Sequence, residues 1–394
     1  SGECRTPRLP EAIIEPLLAW SIKYVKVFAP DILAARAEWE RLIVRAERIR
    51  AREAELSYSE RKRRVSRRFN AFLEDRRQDG RGVPVWSAPP TGHAARLAET
   101  HELINRPLIE HMVACPALHR NRLDRLREAF ATIGAEPGGM DTPVSNDPDT
   151  GKPWRCRFDI RALEIEERML QAAIYIVCAY LTGMRDSEVQ AMRAGCCRTT
   201  RSEDGLVLRH RIRSIAYKGK RAAPEQAEWV TIEPVADAVK VLHRLSAPLR
   251  AADGEDGLWR VLHPKVYSKT HLSAEIVRTL NQFRDHLNAQ FGSRDAPIVP
   301  HGADGRPWRI TTRQFRRTIA WHIANRPFGA VAGMIQYKHA SVAAFEGYAG
   351  SSRSGFRAEI ARERALGQLD DIMTYFDAHQ GGLSVSGPAS KRVK

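Results

Sequence analysis

Apolar positions recur at helical spacing from near the start of the chain. Ile13, Ile14, Leu17, Leu18, Ile22 and Val25 fall on one side of a helix, and Pro30, which has no amide donor, is expected to stop the run. A second helix is predicted from Asp31, with Ile32, Leu33, Ala35, Trp39, Leu42 and Ile43 as its apolar markers. Helical spacing returns over His101–Val113 and Leu118–Ile133. Between Gly134 and Pro153 the pattern breaks. Pro137-Gly138-Gly139, Thr142-Pro143, Asn146-Asp147-Pro148 and Lys152-Pro153 crowd turn-formers into a stretch that reads as a linker. Leu163–Leu181 is then apolar over so broad a face that a buried core helix is predicted.

The period changes after that helix. Gly205–Ala216 alternates around Leu206, Leu208, Ile212 and Ile215, and Glu228–Ile232 follows beyond the turn Tyr217-Lys218-Gly219-Lys220, which predicts two strands. From Val235 to about His379 the pattern is mostly helical, and the Gly/Ser-rich tail with its basic end is expected to be disordered. No internal repeat is visible. The expected fold is mainly α with a small antiparallel β-sheet. It divides into a helical region 1–133, a linker 134–158, a mixed α+β domain 159–379 and a tail 380–394.

Composition narrows the function. The 394 residues are 43% hydrophobic and 28% charged, enough to bury a core. Lys and Arg number 63 against 47 Asp and Glu, and this formal charge of +16 favours a polyanionic partner. The excess concentrates in Arg41–Arg68, where eleven basic residues face only Glu47, Glu53, Glu55 and Glu60. Such a run reads as a solvated helix face or as a set of phosphate contacts. The overall charge favours phosphate contact, and Arg61, Lys62, Arg63, Arg64, Arg67 and Arg68, with Lys220 further along the chain, are the candidate nucleic-acid contacts. The longest apolar stretch, Ala172–Leu181, is far short of the roughly 18 residues a membrane span needs. No basic–apolar–small-residue leader opens the chain. Six cysteines, two of them adjacent at Cys196-Cys197, follow neither a disulfide framework nor a zinc spacing. The expectation is a cytoplasmic, nucleic-acid-binding protein with no membrane partner and no cofactor.

Three stretches carry candidate chemistry. In Leu181-Thr182-Gly183-Met184-Arg185-Asp186-Ser187-Glu188, Gly183 ends the core helix, Asp186 is placed to cap the next, and Glu188 can bracket Arg185. By itself this reads more readily as an ordinary surface arginine at a helix start. In Thr311-Thr312-Arg313-Gln314-Phe315-Arg316-Arg317, Thr311 and Gln314 have capping-box spacing. Arg313 and Arg316 then share a face as a candidate phosphate clamp, with Phe315, Ile319 and Ile323 towards the core. Lys338-His339-Ala340 is followed by Tyr348, nine residues beyond His339, where a tyrosine is either a packing residue or a reactive group.

Taken together, these residues resemble the tyrosine recombinase (phage integrase) family over about residues 172–350. The family has an arginine in a turn of the form L-T-G-x-R-x-S-E, which Arg185 matches. Lys218 matches its hairpin lysine, with Lys220 a close rival. Arg316 matches the second arginine, His339 the late histidine and Tyr348 the nucleophile. Where the family has histidine in H-x-x-R, this chain has Arg313, which cannot titrate near neutrality. Lys338 replaces the glycine usual before the histidine.

The resemblance implies a fold of helical DNA-binding domain plus mixed α+β catalytic domain. It also implies a site-specific recombinase or integrase that cuts and rejoins double-stranded DNA through a 3′-phosphotyrosyl intermediate without metal or ATP, as a homo-tetramer on DNA. In that mechanism Arg185 and Arg316 bind non-bridging oxygens, Lys218 protonates the leaving 5′-oxygen, and His339 bonds the phosphate or assists proton transfer. Arg313 would add a third cation. Two other readings stand beside it: a type IB topoisomerase-like nicking and resealing enzyme, and a DNA-binding protein of the same fold that has lost cleavage.

Overall fold

The spacing of the first apolar residues folds as a helix, α1 (Glu11–Lys23), but Pro30 does not end it. The chain passes through one wider π-helical turn, Tyr24–Phe28, directly into α2 (Ala29–Arg52). Pro30 lies in the first turn of α2, where an amide donor is not required. The π turn absorbs the register change that a proline imposes on the residues before it. The computed structural model describes residues 6–88, 103–201, 208–216, 224–262, 273–325 and 336–337. They fall into two compact units, one of residues 1–14, 176–236 and 300–394, the other of residues 15–175 and 237–299.

The second of these units holds α2, α3 (Tyr58–Gln78), β1 (Val83–Val85), α4 (Arg106–Met112), α5 (Arg120–Ile133) and β2 (Ala135–Pro137). The Ser57 hydroxyl accepts from the Glu60 amide and the Glu60 carboxylate accepts from the Ser57 amide, a capping box that starts α3. Val65, Phe69 and Leu73 recur every four residues along α3 and form a core with Ile109, Leu126 and Ala129. A second centre is aromatic. Phe28 stacks on Trp154 with ring centroids 4.3 Å apart, and Tyr24 meets Phe283 edge-on at 5.2 Å. The Tyr24 hydroxyl donates to Glu166 at 3.1 Å, and burial beside that carboxylate holds its pKa well above the usual tyrosine value.

The turn-rich stretch 134–158 is not a free linker. β2 pairs in parallel with β1, and two carboxylates of α2 anchor the turns that follow. Asp31 accepts from the Ser145 amide at 2.8 Å and from the Trp154 indole at 2.8 Å, while Glu38 accepts from the Asp141 and Thr142 amides, each at 2.7 Å. Turn-formers here shape a segment that fixed hydrogen bonds hold in place.

The first unit contains the end of α6 (Ile160–Thr182), the short α7 (Asp186–Gln190), and an antiparallel sheet of β3 (Cys197–Arg201), β4 (Leu208–Ala216) and β5 (Glu225–Thr231). The strands lie in the order β3-β4-β5. β4 and β5 answer to the two predicted strands, and β3 is additional. The chain continues through α8 (Glu233–Asp253) and α9 (Ser273–Gln290) to α10 (Thr312–Ala324), which belongs to the first unit. The observed fold is thus mainly helical with one small antiparallel sheet, as the sequence predicts. Among the described residues, no helix is long and apolar enough to cross a membrane. The last part of the stretch predicted as helical to about His379, from residue 338 on, and the tail lie outside the described residues.

Candidate active site

The end of α6 is built to make one sharp turn. Thr182 sends its hydroxyl back to the Cys178 carbonyl at 2.6 Å and accepts from the Met184 amide at 3.2 Å. Gly183 then takes a positive φ of +67°, the left-handed conformation that closes a helix. A side chain could not fit there, because a Cβ would lie 2.6–2.7 Å from the hydroxyl and ring atoms of Tyr337.

Arg185 follows as the N-cap position of α7, so Asp186 is its first helical residue and not the predicted cap. The cap is made from the other direction. Glu188, three residues on, accepts from the Arg185 amide at 2.7 Å and pairs with the Arg185 guanidinium at 2.6 Å. Glu188 is fully buried, whereas the Arg185 side chain is 37% exposed. Behind Glu188, the Ser214 hydroxyl of β4 donates to its carbonyl at 2.6 Å and ties the sheet to α7.

α10 brings the second arginine to the same carboxylate. Its first turn is fixed as predicted, with the Gln314 side chain accepting from the Thr311 amide at 2.8 Å. Arg316 is buried, its side chain 4% exposed. Its guanidinium donates to the Gly183 carbonyl at 2.5 Å and the Tyr337 carbonyl at 2.9 Å, and stands 3.7 Å from Glu188. It also lies 4.2 Å from the centre of the Tyr337 ring, and the Tyr337 hydroxyl returns a bond to the Arg316 carbonyl at 2.9 Å. A charge can be buried at this depth because carbonyls, a carboxylate and a π face replace its water. Arg185, Glu188 and Arg316 therefore form one cluster of two cations on one buried anion, from positions far apart in sequence.

Arg313 does not share this environment. It is exposed and has no hydrogen bond or ion pair among the described residues, so the expected Arg313–Arg316 clamp on one face is not formed. One turn of helix separates a solvent position from a buried one, and Phe315 together with the partners of Arg316 decides which arginine goes in. Arg317 is also buried and donates to the Thr6 carbonyl, which makes it a tie to the N-terminal residues. Ile319 and Ile323 pack with Ala320, Ala324 and Tyr337, as their spacing predicts.

Tyr337 and Gln336 are not legible in the sequence as site residues. Gln336 donates to the Thr182 carbonyl at 3.1 Å and to the Val230 carbonyl at 2.9 Å, which joins the turn to β5. The one signal is position, since both immediately precede Lys338-His339. Lys218, Lys220, His339 and Tyr348 lie outside the described residues.

The basic helix α3 sorts its cations. Arg61, Lys62, Arg63, Arg64 and Arg67 are exposed. Ser59, Lys62, Arg63, Ser66, Arg67 and Asn70, at helical spacing on one side, line an open groove. Arg68 is different. It grips Glu53 at 2.6 and 3.0 Å and donates to the Val113 carbonyl at 2.8 Å, so its charge is spent inside the fold.

No protein-family model matches the chain, and no curated protein matches it. Solved structures do show a likeness. XerA recombinase is 14% identical with a TM-score of 0.32, over 84% of this chain and 99% of that one. XerH site-specific recombinase bound to its difH substrate is 11% identical with a TM-score of 0.31, over 59% of this chain and 63% of that one. The Tn1549 transposon integrase in complex with circular intermediate DNA is 13% identical with a TM-score of 0.30, over 75% and 84%. Likenesses this remote say nothing about the reaction, and the functional reading rests on the geometry of the turn, the sheet and α10.

Proposed function

We propose that this protein is a tyrosine-type DNA strand transferase, a site-specific recombinase or integrase. The observation that carries the reading is the convergence of Arg185 and Arg316 on Glu188. The resemblance pairs these two arginines, and they are found 2.6 and 3.7 Å from the same buried carboxylate. Two guanidiniums against one carboxylate leave the cluster net positive beside a turn that holds Arg185 towards solvent, which suits a phosphodiester.

In this reading Arg185 takes a non-bridging oxygen directly. Arg316, buried, holds the Gly183 turn and adds its charge at short range as negative charge builds on phosphorus. Tyr348 attacks the phosphorus and gives up its hydroxyl proton to His339 or to water, a Tyr–O–P bond forms as the P–O5′ bond breaks, and Lys218 supplies the proton that the departing 5′-oxygen needs. His339 bonds the phosphate or moves a proton. One phosphodiester is exchanged for another, so the energy of the bond is kept and no nucleotide cofactor is called for. Lys62, Arg63 and Arg67 on α3 hold the duplex through its phosphates, which positions it without reading its sequence. Cleavage of two duplexes at once calls for a tetramer on the DNA, with the region 1–133 and the domain 159–379 closing on each duplex.

The test is covalent trapping on nicked duplexes, followed by denaturation. An adduct that is lost in Tyr348→Phe supports the reading, and strand exchange between two duplexes then separates a recombinase from a topoisomerase-like enzyme. Arg185→Ala is expected to slow adduct formation by of order 10²–10³, as for removal of one oxyanion donor. Tight binding with no adduct would mean a DNA-binding protein of this fold, with Arg313 as the first position to restore to histidine.

A further inference from the structure

β4 shows two unlike faces. His210, Ile212, Ser214 and Ala216 are buried, and Ser214 reaches the candidate site through Glu188. The alternating residues Arg209, Arg211 and Arg213 are exposed on the other face, steps of about 6.7 Å apart along the strand. Pairing extends this row sideways. Arg198 of β3 lies directly opposite Arg211, and Thr200 opposite Arg209. On the β5 side, Val230 lies opposite Arg211 and Glu228 opposite Arg213. Four arginines therefore share a face with one carboxylate.

That carboxylate is largely committed. Glu228 is 3.1 Å from Arg213 and 3.8 Å from Arg211, with the Arg211 side chain 47% exposed. The side chains of Arg198 and Arg209 have no hydrogen-bond or ion-pair partner among the described residues. Like charges placed directly across a strand pair destabilise a sheet, and an anion lying over the Arg198–Arg211 pair relieves that repulsion. The anion must also repeat, because the cations do. A protein partner would need a matching row of carboxylates, whereas a nucleic-acid backbone supplies a charge at every nucleotide.

We propose that the outer face of β3–β5 is a second nucleic-acid surface, which holds the phosphate backbone of a duplex segment other than the one at Arg185. The inference rests on the DNA strand-transferase reading and extends it. α7, which carries Arg185, packs on the inner face of the sheet, so the outer row points away from it. A surface there gives the protein a grip on a second duplex, or on DNA that doubles back, before any strand is cut.

The experiment compares the wild-type chain with an Arg198→Gln/Arg209→Gln/Arg211→Gln variant and with Glu228→Gln. Two short duplexes with different fluorophores report bridging by energy transfer at protein concentrations where the chain is monomeric, so that an assembly of several copies does not contribute, and binding is followed against salt. The triple variant is expected to lose bridging, and its salt slope is expected to fall by roughly 0.9 for each phosphate contact removed. Glu228→Gln adds net positive charge and is expected to bridge at higher salt than wild type, which a folding defect would not produce. Unchanged bridging and slope in the triple variant, or weaker bridging in Glu228→Gln, would overturn the proposal. The Tyr348 adduct on a single nicked duplex reports separately. An adduct with normal bridging in the triple variant overturns the sheet surface alone. Loss of bridging where wild type forms no adduct overturns the cleavage reading alone.

Discussion

Glu188→Gln keeps the shape of the residue that joins the two arginines and removes its charge. The glutamine oxygen can still accept from the Arg185 amide, but its amino group then faces a guanidinium, donor against donor. Two cations remain around a buried site with no carboxylate between them. Breaking one partner of a buried ionic group costs about 3–5 kcal/mol. Arg185 is 37% exposed and recovers water, so its share is small, and the cost falls mainly on Arg316, which is 4% exposed. The expected destabilisation is therefore at the lower end, about 3 kcal/mol. Ser214→Ala is the internal reference, because it removes only the hydrogen bond to the Glu188 carbonyl and is expected to cost about 1 kcal/mol. Urea unfolding of both variants gives the comparison from midpoints at a common slope. If Glu188→Gln costs no more than Ser214→Ala, the carboxylate does not hold the arginines together and the account of the cluster is wrong.

Gly183→Ala forces a left-handed backbone on alanine and drives its Cβ into the Tyr337 ring, so it is expected to cost about 2 kcal/mol or more, read by thermal or urea unfolding. Burial raises the Glu167 carboxyl from its usual 4.5 to about 7, against the pull of Arg36 at 2.9 Å. The folded state then holds a proton that the unfolded state releases, so this group's stabilisation is full below pH 4.5 and lost as pH rises through about 7. Wild type should lose about 3 kcal/mol relative to Glu167→Gln across that window, and parallel stability curves would refute it. Arg313→His puts a titrating group at an exposed position, and adduct formation is expected to rise by of order 10² and to gain a dependence near pH 6–7. An unchanged, pH-flat rate would show that this position takes no part in proton transfer.

What can be read from the sequence is local. The core helix over Leu163–Leu181, the glycine that ends it and the Thr311–Gln314 box each depend on neighbours within one or two turns, and all three form. The misses depend on partners far along the chain. The stretch 134–158 has the composition of a linker, and what holds it in place is distant in sequence: β1, through its pairing with β2, and Asp31 and Glu38, more than a hundred residues before the amides they bind. β3 carries no apolar alternation, since Arg198, Thr199, Thr200 and Arg201 are all exposed, and its existence comes from pairing with β4. Pro30 reads as a stop because the sequence does not show that a π turn precedes it. The burial of Arg316 is likewise out of reach, for the Gly183 carbonyl it bonds lies 133 residues away. An arginine buried in this way is visible only once the turn, the sheet and α10 have come together.

The most direct measurement is to locate the protein–DNA bond. A trapped complex formed on a nicked duplex is digested with protease, and the DNA-linked peptide is sequenced by mass spectrometry. The account predicts a 3′-phosphate carried on Tyr348, formed in wild type and slowed by of order 10²–10³ in Arg185→Ala. A linkage to another residue, or an Arg185→Ala variant that forms the adduct at the wild-type rate, would contradict it.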